Sequence, residues 1–438
     1  MKLNIIILTA ACLLAISVHA QEIYNLDKCK ELALKNNAKA KNSQLSLEAA
    51  EQTKKEAFTK YFPSISAIGM GFRTNDPMMA MDLPLGAMLG NPDMPPIALD
   101  MLQKGKIGSV SASQPIFAGG QIINGNKLAK LGVEVAELQK KMSDDEVLLT
   151  VEQYYWQIVA LEEKTKTIAE AETLLNRAHT DVKNALDAGL VNRNDLLKVE
   201  LKQNELESGK LKLTNGLKLS KMVLAQFIGI APEDFDIDNS LVENVALTFD
   251  SSIDYQSALN RRAEYQLLNK NVEASKLQVK METGKHLPTV AIGAGWNYYS
   301  FDKGSPFAMD RNFGMLFATV AVPLSDWWGG SHAIKKQKIQ VMIAESEKRN
   351  NEELLLIQMQ QLRNDVEEAA QQVQLADKTI VSALENVRLN ADYYEGGTGL
   401  LTDLLDAQNA LQQARDQRTE AATDFCMKLA RYRQATGE

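Results

Sequence analysis

An internal duplication organises this chain of 438 residues and limits the folds that are open to it. The segment that runs from Asp187 to the Asp195-Leu-Leu triplet recurs 208 residues later, from Glu395 to Asp403-Leu-Leu. Both copies read acid, small residue, Gly, five residues, Asp-Leu-Leu. The same offset relates two prolines, and a pair of glycines follows each: Pro115 with Gly119-Gly120, and Pro323 with Gly329-Gly330. The pattern predicts two copies of one unit: helix, strand, loop, strand, long helix, turn, helix.

The repeats give the chain four predicted parts. Residues 1–20 resemble a secretory leader, because a positive start precedes an apolar run that ends in Val18-His19-Ala20. An uncleaved membrane anchor is the alternative. Residues 21–228 form the first repeat, residues 229–252 an equatorial connector, and residues 253–438 the second repeat.

Four short segments have the character of strands. They are rich in small and aromatic residues and cover Ser64–Arg73, Ile107–Phe117, Thr289–Phe301 and Asn312–Leu324. In the third, apolar side chains from Val290 to Tyr298 alternate with small or polar ones. This alternation is typical of a membrane barrel strand, although a half-buried strand of a soluble protein has the same local pattern.

The long helices carry a coiled-coil pattern. From Leu355 to Val387 apolar residues recur in steps of four and three without interruption. The helical pattern of residues 120–187 would be about 100 Å long at a rise of about 1.5 Å per residue. Segments of roughly half that length are predicted over residues 26–60, 195–227, 254–284 and 401–432. The fold class is therefore mainly α, with long coiled-coil helices and four strands per chain.

Charge and composition exclude several function classes. Loss of the leader changes the net charge from -8 to -9, which disfavours nucleic acid as a partner. No nucleophile motif, phosphate loop or metal-ligand spacing is present, so we expect no enzyme activity, no cofactor and no metal site of the usual ligands. Cys29 and Cys426 lie at opposite ends of the chain, and whether they pair is left open.

Membrane insertion would require oligomerisation. No apolar run of eighteen residues follows Ala20, so a chain that crosses a membrane must do so as a closed barrel. Small barrels need about eight strands. Four strands from one chain must therefore combine with those of other subunits.

These features together resemble the TolC-like outer-membrane efflux family over residues 22–436. The resemblance rests on the duplication, the Pro115-to-Gly120 corner and the turns at Gly189 and Gly397. It implies a homotrimer with a 12-stranded outer-membrane β-barrel, a periplasmic α-helical barrel and a girdle that includes residues 229–252. It further implies an exit duct of a tripartite efflux or type I secretion system, with a periplasmic adaptor and an inner-membrane pump as partners. Which drug, metal or protein is exported stays open.

The resemblance also assigns a gate. It implies that the two helix tips close the periplasmic aperture, with Asp403 and Asp406 as an acidic ring and Asp195 and Tyr394 as tip contacts. The two ring residues lie three apart and so share one helix face. Alternatively, Asp195 and Asp403 only stabilise the first turns of their helices. The tip-turn glycines are Gly189, Gly397 and Gly399. Members of the family often have an arginine where this chain has Gly399, and Arg193 is the candidate to replace it.

Residues 75–105 form a predicted outward loop with many methionines: Met78, Met79, Met81, Met88, Met94 and Met101. Thioethers can bind soft metals, but methionine is also a flexible apolar filler. Both interpretations stay open. For the chain as a whole, the alternative function is a periplasmic adaptor or a structural coiled-coil protein.

Overall fold

The computed structural model describes residues 23–85, 89–90, 93, 95–231, 235–239, 247–249, 253–302 and 308–437. The predicted leader and most of the connector lie outside these residues. The elements, in order, are β1 (Ile23–Tyr24), α1 (Leu26–Asn36), α2 (Ala38–Thr59), β2 (Ser64–Arg73), β3 (Met79–Leu83), β4 (Ile97–Met101), β5 (Lys104–Ala118), α3 (Gln121–Asp187), α4 (Arg193–Ile228), β6 (Asp236–Ile237), α5 (Tyr255–Arg261), α6 (Ala263–Lys285), β7 (Thr289–Phe301), β8 (Met309–Ala321), α7 (Asp326–Glu395) and α8 (Leu401–Thr436).

The chain is mainly helical and divides into two compact units. One unit holds the chain up to Ser46 together with Glu137–Leu267 and Arg349–Glu438, and the other holds Leu47–Ala136 and Leu268–Lys348. Within the described ranges, no helix has a stretch that is long and apolar enough to span a bilayer.

Two helices that the sequence predicts as continuous are interrupted. Residues 26–60 break at Asn37 and residues 254–284 break at Arg262, and both residues have extended backbone angles. The two positions are 225 apart, which is also the offset of the Tyr61-Phe62-Pro63 and His286-Leu287-Pro288 triplets. The break is therefore part of the duplicated unit.

Tertiary contacts at the breaks explain them. The Asn36 side-chain amide donates to the carbonyl of Ile228 at the end of α4, over 3.0 Å. In the second repeat, the Arg261 guanidinium donates to the carbonyl of Thr436 at the end of α8, also over 3.0 Å. Terminal helix carbonyls have no partner within their own helix, so each break satisfies one of them from outside.

The second unit contains a four-stranded antiparallel sheet in the order β2, β5, β7, β8. The bounds of β2 and β7 agree with the sequence prediction. The prediction for β5 was too short at both ends, and that for β8 lay three residues too late. The pairing of Phe301 with Met309 and of Thr289 with Ala321 fixes the extent of β8, and the apolar residues after Ala321 fall outside the ladder.

The structure also contains strands outside the four segments that the sequence predicts. The described part of the chain contains two further small sheets: an antiparallel β3–β4 hairpin inside the predicted 75–105 loop, and a parallel pair formed by β1 and β6. The second pair joins Ile23–Tyr24 to the predicted connector.

The core of the first unit confirms the coiled-coil pattern of the second repeat. Met359, Val366, Ala369 and Val373 are fully or almost fully buried. They lie on α7, and three of them belong to a cluster with Tyr155 of α3 and Phe425 of α8. The first repeat contributes to the same core. The residues that α3 buries most deeply in this region are Val147, Val151, Tyr155, Ile158 and Val159.

Candidate functional site at the helix tips

The two hairpin turns have the same hydrogen-bond pattern. In the first, the N–H of Leu190 donates to Ala185 over 2.8 Å and that of Gly189 donates to Leu186 over 2.9 Å. In the second, Thr398 donates to Tyr393 over 2.9 Å and Gly397 donates to Tyr394 over 3.0 Å. This is the Schellman arrangement, which needs a left-handed residue after the helix. Gly189 and Gly397 supply it with φ of 73° and 71°.

Gly399 serves a different purpose from the other two glycines. A Cβ at this position would lie 2.9 Å from the Cβ of Tyr393 and 3.1 Å from its carbonyl carbon. Any larger residue must therefore move the backbone of the turn. In this conformation the position has no room for the arginine that the family resemblance would place there.

The acids Asp195 and Asp403 occupy equivalent positions in the first turns of α4 and α8. The residues before these helices, Asn192 and Leu400, make no side-chain capping bond. A carboxylate in the first turn is stabilised by the positive end of the helix dipole. The helix-stabilising role that the sequence left as an alternative is thus compatible with the position of both acids.

A small apolar cluster holds the tips together within one chain. It consists of buried residues from α3, α4 and α8: Leu175, Ala178, Val182, Val199, Leu401 and Leu405. Tyr394, at the end of α7, packs against this cluster. Burial raises the pKa of the Tyr394 hydroxyl, and the carboxylates of Asp195 and Asp181 raise the pKa further. The fold therefore brings the predicted tip residues Tyr394 and Asp195 into one electrostatic environment.

The predicted ring residues lie elsewhere on the tip. Asp403 and Asp406 are exposed on α8, whereas their neighbours Leu404, Leu405 and Ala407 are buried. The apolar side of α8 thus faces the cluster, and the two carboxylates remain hydrated. A hydrated pair of this kind can attract cations but is not arranged as a closed metal site.

Two charged residues at the tip were missed by the sequence analysis. The Lys198 ammonium lies 3.1 Å from the Asp195 carboxylate, and Asp181 acts on Tyr394. The spacing of three residues between Asp195 and Lys198 could have indicated the first contact, but no local signal points to the second. Arg193 is exposed at the start of α4, and the ion pair that Asp195 forms within the chain is with Lys198.

The structure also shows the environment of the two cysteines and of the residue types that commonly bind metals. Cys29 is buried and Cys426 is partly buried, and both are free thiols in one apolar cluster. Burial raises the pKa of each thiol to about 12, which keeps both in the unreactive protonated form. The described residues contain no group of three or more His, Cys, Asp or Glu side chains placed to hold a metal ion.

Comparisons with known proteins agree with this architecture. Residues 255–438 match the model of the outer membrane efflux protein family. The chain is 18% identical to the outer membrane protein TolC of Vibrio cholerae serotype O1 over 410 residues, which cover 92% of this chain and 89% of that protein.

Solved structures extend the likeness to the whole fold. The outer-membrane channel OprN has a TM-score of 0.78 at 15% identity, over 94% of this chain and 89% of OprN. The outer membrane protein VceC of Vibrio cholerae has a TM-score of 0.73 at 15% identity, over 94% of this chain and 96% of VceC. At such identities these structures establish the fold.

In fold and in sequence, the chain is thus similar to outer-membrane efflux proteins. The second repeat carries the family match, and the fold likeness covers both repeats. The predicted resemblance of the chain to TolC-like outer-membrane efflux proteins is confirmed.

Proposed function

We propose that this protein is the outer-membrane channel of a tripartite efflux or type I secretion assembly. In this role it passes substrates from the periplasm to the exterior and carries out no catalysis. The observation that carries the proposal is the four-stranded sheet of the second unit. One face of this sheet exposes large apolar side chains: Ile292 and Trp296 of β7, and Leu316 of β8, which is paired with Ala294 between them.

Exposure of such an apolar face is unfavourable in water and favourable in lipid. Trp296 is 56% exposed and Leu316 is 87% exposed. On β7 the residues between the exposed ones are Gly293, Gly295 and Asn297, which are half-buried. The strand therefore alternates between an apolar outer side and a small or polar inner side, as the strands of membrane barrels do.

The sheet also has edges that need partners. Within the described part of the chain, β2 pairs only with β5, and β8 pairs only with β7. Unpaired strand edges do not occur in lipid, because each unsatisfied N–H or C=O group costs several kcal/mol. We propose that β2 of one copy pairs with β8 of the next. Three copies would give a closed barrel of twelve strands, the number three being taken from the family.

The proposed trimer would bring three helix tips to one axis. Asp403 and Asp406 would then contribute six carboxylates to the periplasmic aperture. Their field would attract cations, and Tyr394 with Asp195 would lie between the two hairpins of each chain. Docking of an adaptor would shift the population from closed to open tips. A periplasmic adaptor and an inner-membrane pump are the proposed partners.

The rival function, a periplasmic adaptor or a structural coiled coil, is less favoured. Neither role uses four adjacent strands with a lipid-like apolar face. An adaptor would present a single helical hairpin, whereas this chain has two hairpins with matching turns at Gly189 and Gly397.

Heat-modifiability tests the proposal. Protein extracted from outer membranes should run at the size of a trimer when unboiled and as a monomer after boiling, because a closed barrel resists detergent. The boiled band should be slightly smaller than the precursor. Recovery in the soluble periplasmic fraction, or a monomer before heating, would contradict the shared barrel and favour the adaptor.

A further inference from the structure

The β3–β4 hairpin has one wholly apolar face. Its register pairs Met79 with Met101, Met81 with Leu99, and Leu83 with Ile97. Directly opposed residues lie on the same side of a two-stranded sheet, and so do residues two positions apart. Three methionines therefore share one face. The other face carries Ala80, Asp82, Ala98 and Asp100.

The face that carries Met79, Met81 and Met101 is partly exposed to solvent. Met79 is 48% exposed and Met81 is 49% exposed, whereas Leu99 beside them is 7% exposed. The sulfur-bearing end of the hairpin can thus be reached from solvent while its middle is packed. Within the described residues the three thioethers lie at neighbouring positions on an accessible surface.

Packing alone does not account for the choice of residue. Strands that need only an apolar face are enriched in β-branched and aromatic residues, which fit a pleated surface. In this hairpin, methionine occupies three of the ten strand positions. What methionine adds is a polarizable sulfur on a side chain with three rotatable bonds.

The spacing permits the three sulfurs to converge. Cβ atoms of directly opposed residues lie about 5 Å apart, and the next residue on the same face lies about 7 Å along the strand. Flexible side chains of this length can bring their sulfur atoms to a common point between Met79, Met81 and Met101. Thioether ligands select soft ions such as Cu(I).

We propose that Met79, Met81 and Met101 form a thioether site for a soft monovalent cation, Cu(I) or Ag(I). The hairpin also carries acidic side chains at Asp82 and Asp100 and no lysine or arginine within β3 or β4. Its net negative charge favours a cation over an anion. The site does not depend on whether the chain conducts.

The test is a titration of the full-length protein in detergent with Ag(I) by calorimetry, and with Cu(I) in competition against a chromogenic chelator. We expect one ion per chain with a Kd of about 10 µM or tighter. The variant Met79→Leu/Met81→Leu/Met101→Leu keeps the apolar face and should bind at least about tenfold more weakly. X-ray absorption of the loaded protein should show sulfur as the scattering neighbour.

A matched control uses methionines of the four-stranded sheet. Met70→Leu/Met309→Leu/Met315→Leu also replaces exposed methionines, and it should bind Ag(I) like the parent. Equal binding by the hairpin variant and the parent would overturn the proposal, as would equal affinity for Zn(II), which would point to the carboxylates. Channel conductance should be normal in both variants, so failure of the site and failure of the channel are distinguishable.

Discussion

The carboxylate of Asp302 accepts a hydrogen bond of 2.5 Å from the backbone N–H of Leu102, a residue 200 positions earlier in the chain. The same carboxylate accepts from the N–H groups of Gln103 and Lys104 over 3.0 and 3.1 Å. Both Asp302 and Leu102 have positive φ, 47° and 62°, which is uncommon for residues other than glycine. One buried side chain thus joins the end of β7 to the segment that connects the hairpin to β5.

Replacement of Asp302 should loosen that connection. Asp302→Ala removes the acceptor of three backbone N–H groups, while the sheet ladders remain. We expect faster hydrogen exchange at the amides of Leu102, Gln103 and Lys104, measured by mass spectrometry. Asp310→Ala, at an exposed position of β8, is the control and should leave these rates unchanged. Unchanged exchange in Asp302→Ala would show that other contacts hold the segment.

The tip turns should be sensitive to backbone strain alone. Nothing lies within 4 Å of a Cβ added at Gly189 or Gly397, so alanine is penalised only for its left-handed conformation. We expect each substitution to cost about 1 kcal/mol, observed as a lower free energy of local opening at the amides of Leu190 and Thr398.

Gly216 provides the matched control for the turn glycines. It lies inside α4, also with open space around an added Cβ, and Gly216→Ala should stabilise that helix by about 0.5 kcal/mol. A gain in stability from Gly189→Ala or Gly397→Ala would contradict the left-handed turns.

Asp416 of α8 should make stability depend on pH. Burial raises the pKa of its carboxyl above the ordinary 3.8; Lys164 opposes this rise and Glu420 adds to it. Its Oδ1 is buried without a hydrogen-bond partner among the described residues. The folded state therefore disfavours the charged form, and this penalty is present at neutral pH. It is relieved as the pH falls through the raised pKa, and it is absent below 3.8, where the unfolded chain is protonated as well.

The variant Asp416→Asn should consequently raise the thermal midpoint at about pH 7. Its advantage over the parent should shrink with acidification. Asp424→Asn is the control, because Asp424 is exposed on the same helix and pairs with Lys428 over 3.0 Å; no gain is expected there. A constant difference between Asp416→Asn and the parent at all pH values would exclude titration as the cause.

The proposed acidic ring can be tested by ion block. Asp403→Asn/Asp406→Asn should abolish block of single channels by trivalent cations applied from the periplasmic side, because attraction to a multivalent ion depends on the summed charge at the aperture. Asp424→Asn changes the same charge type outside the tip and should leave block intact. Undiminished block in the double variant would remove these two acids from the gate.

Local and periodic features were predictable from the sequence. The bounds of β2 and β7, the buried seam from Met359 to Val373, and the glycines of the tip turns all follow from patterns within a few residues. Each depends on side-chain alternation, helical periodicity or the conformational freedom of glycine.

Contacts between distant segments were not predictable in this way. Neither break, at Asn37 or at Arg262, is marked by a proline or glycine. The breaks arise instead from tertiary contacts, since the side chains of Asn36 and Arg261 donate hydrogen bonds to the ends of other helices. The β3–β4 hairpin lies in a proline-rich segment that has the composition of a loop. The residues that follow the hairpin are held by hydrogen bonds to Asp302, which belongs to the second repeat.

The sequence alone determined that this protein is a duplicated, mainly helical chain with a pair of short strands in each repeat, because repetition and periodicity are properties of residue order. Only the tertiary structure decided which groups meet at the tip. Tyr394 shares an environment with Asp195 and Asp181 because the end of α7 packs against α3 and α4. Such proximity depends on how helices pack, a property to which residues far apart in the chain contribute together.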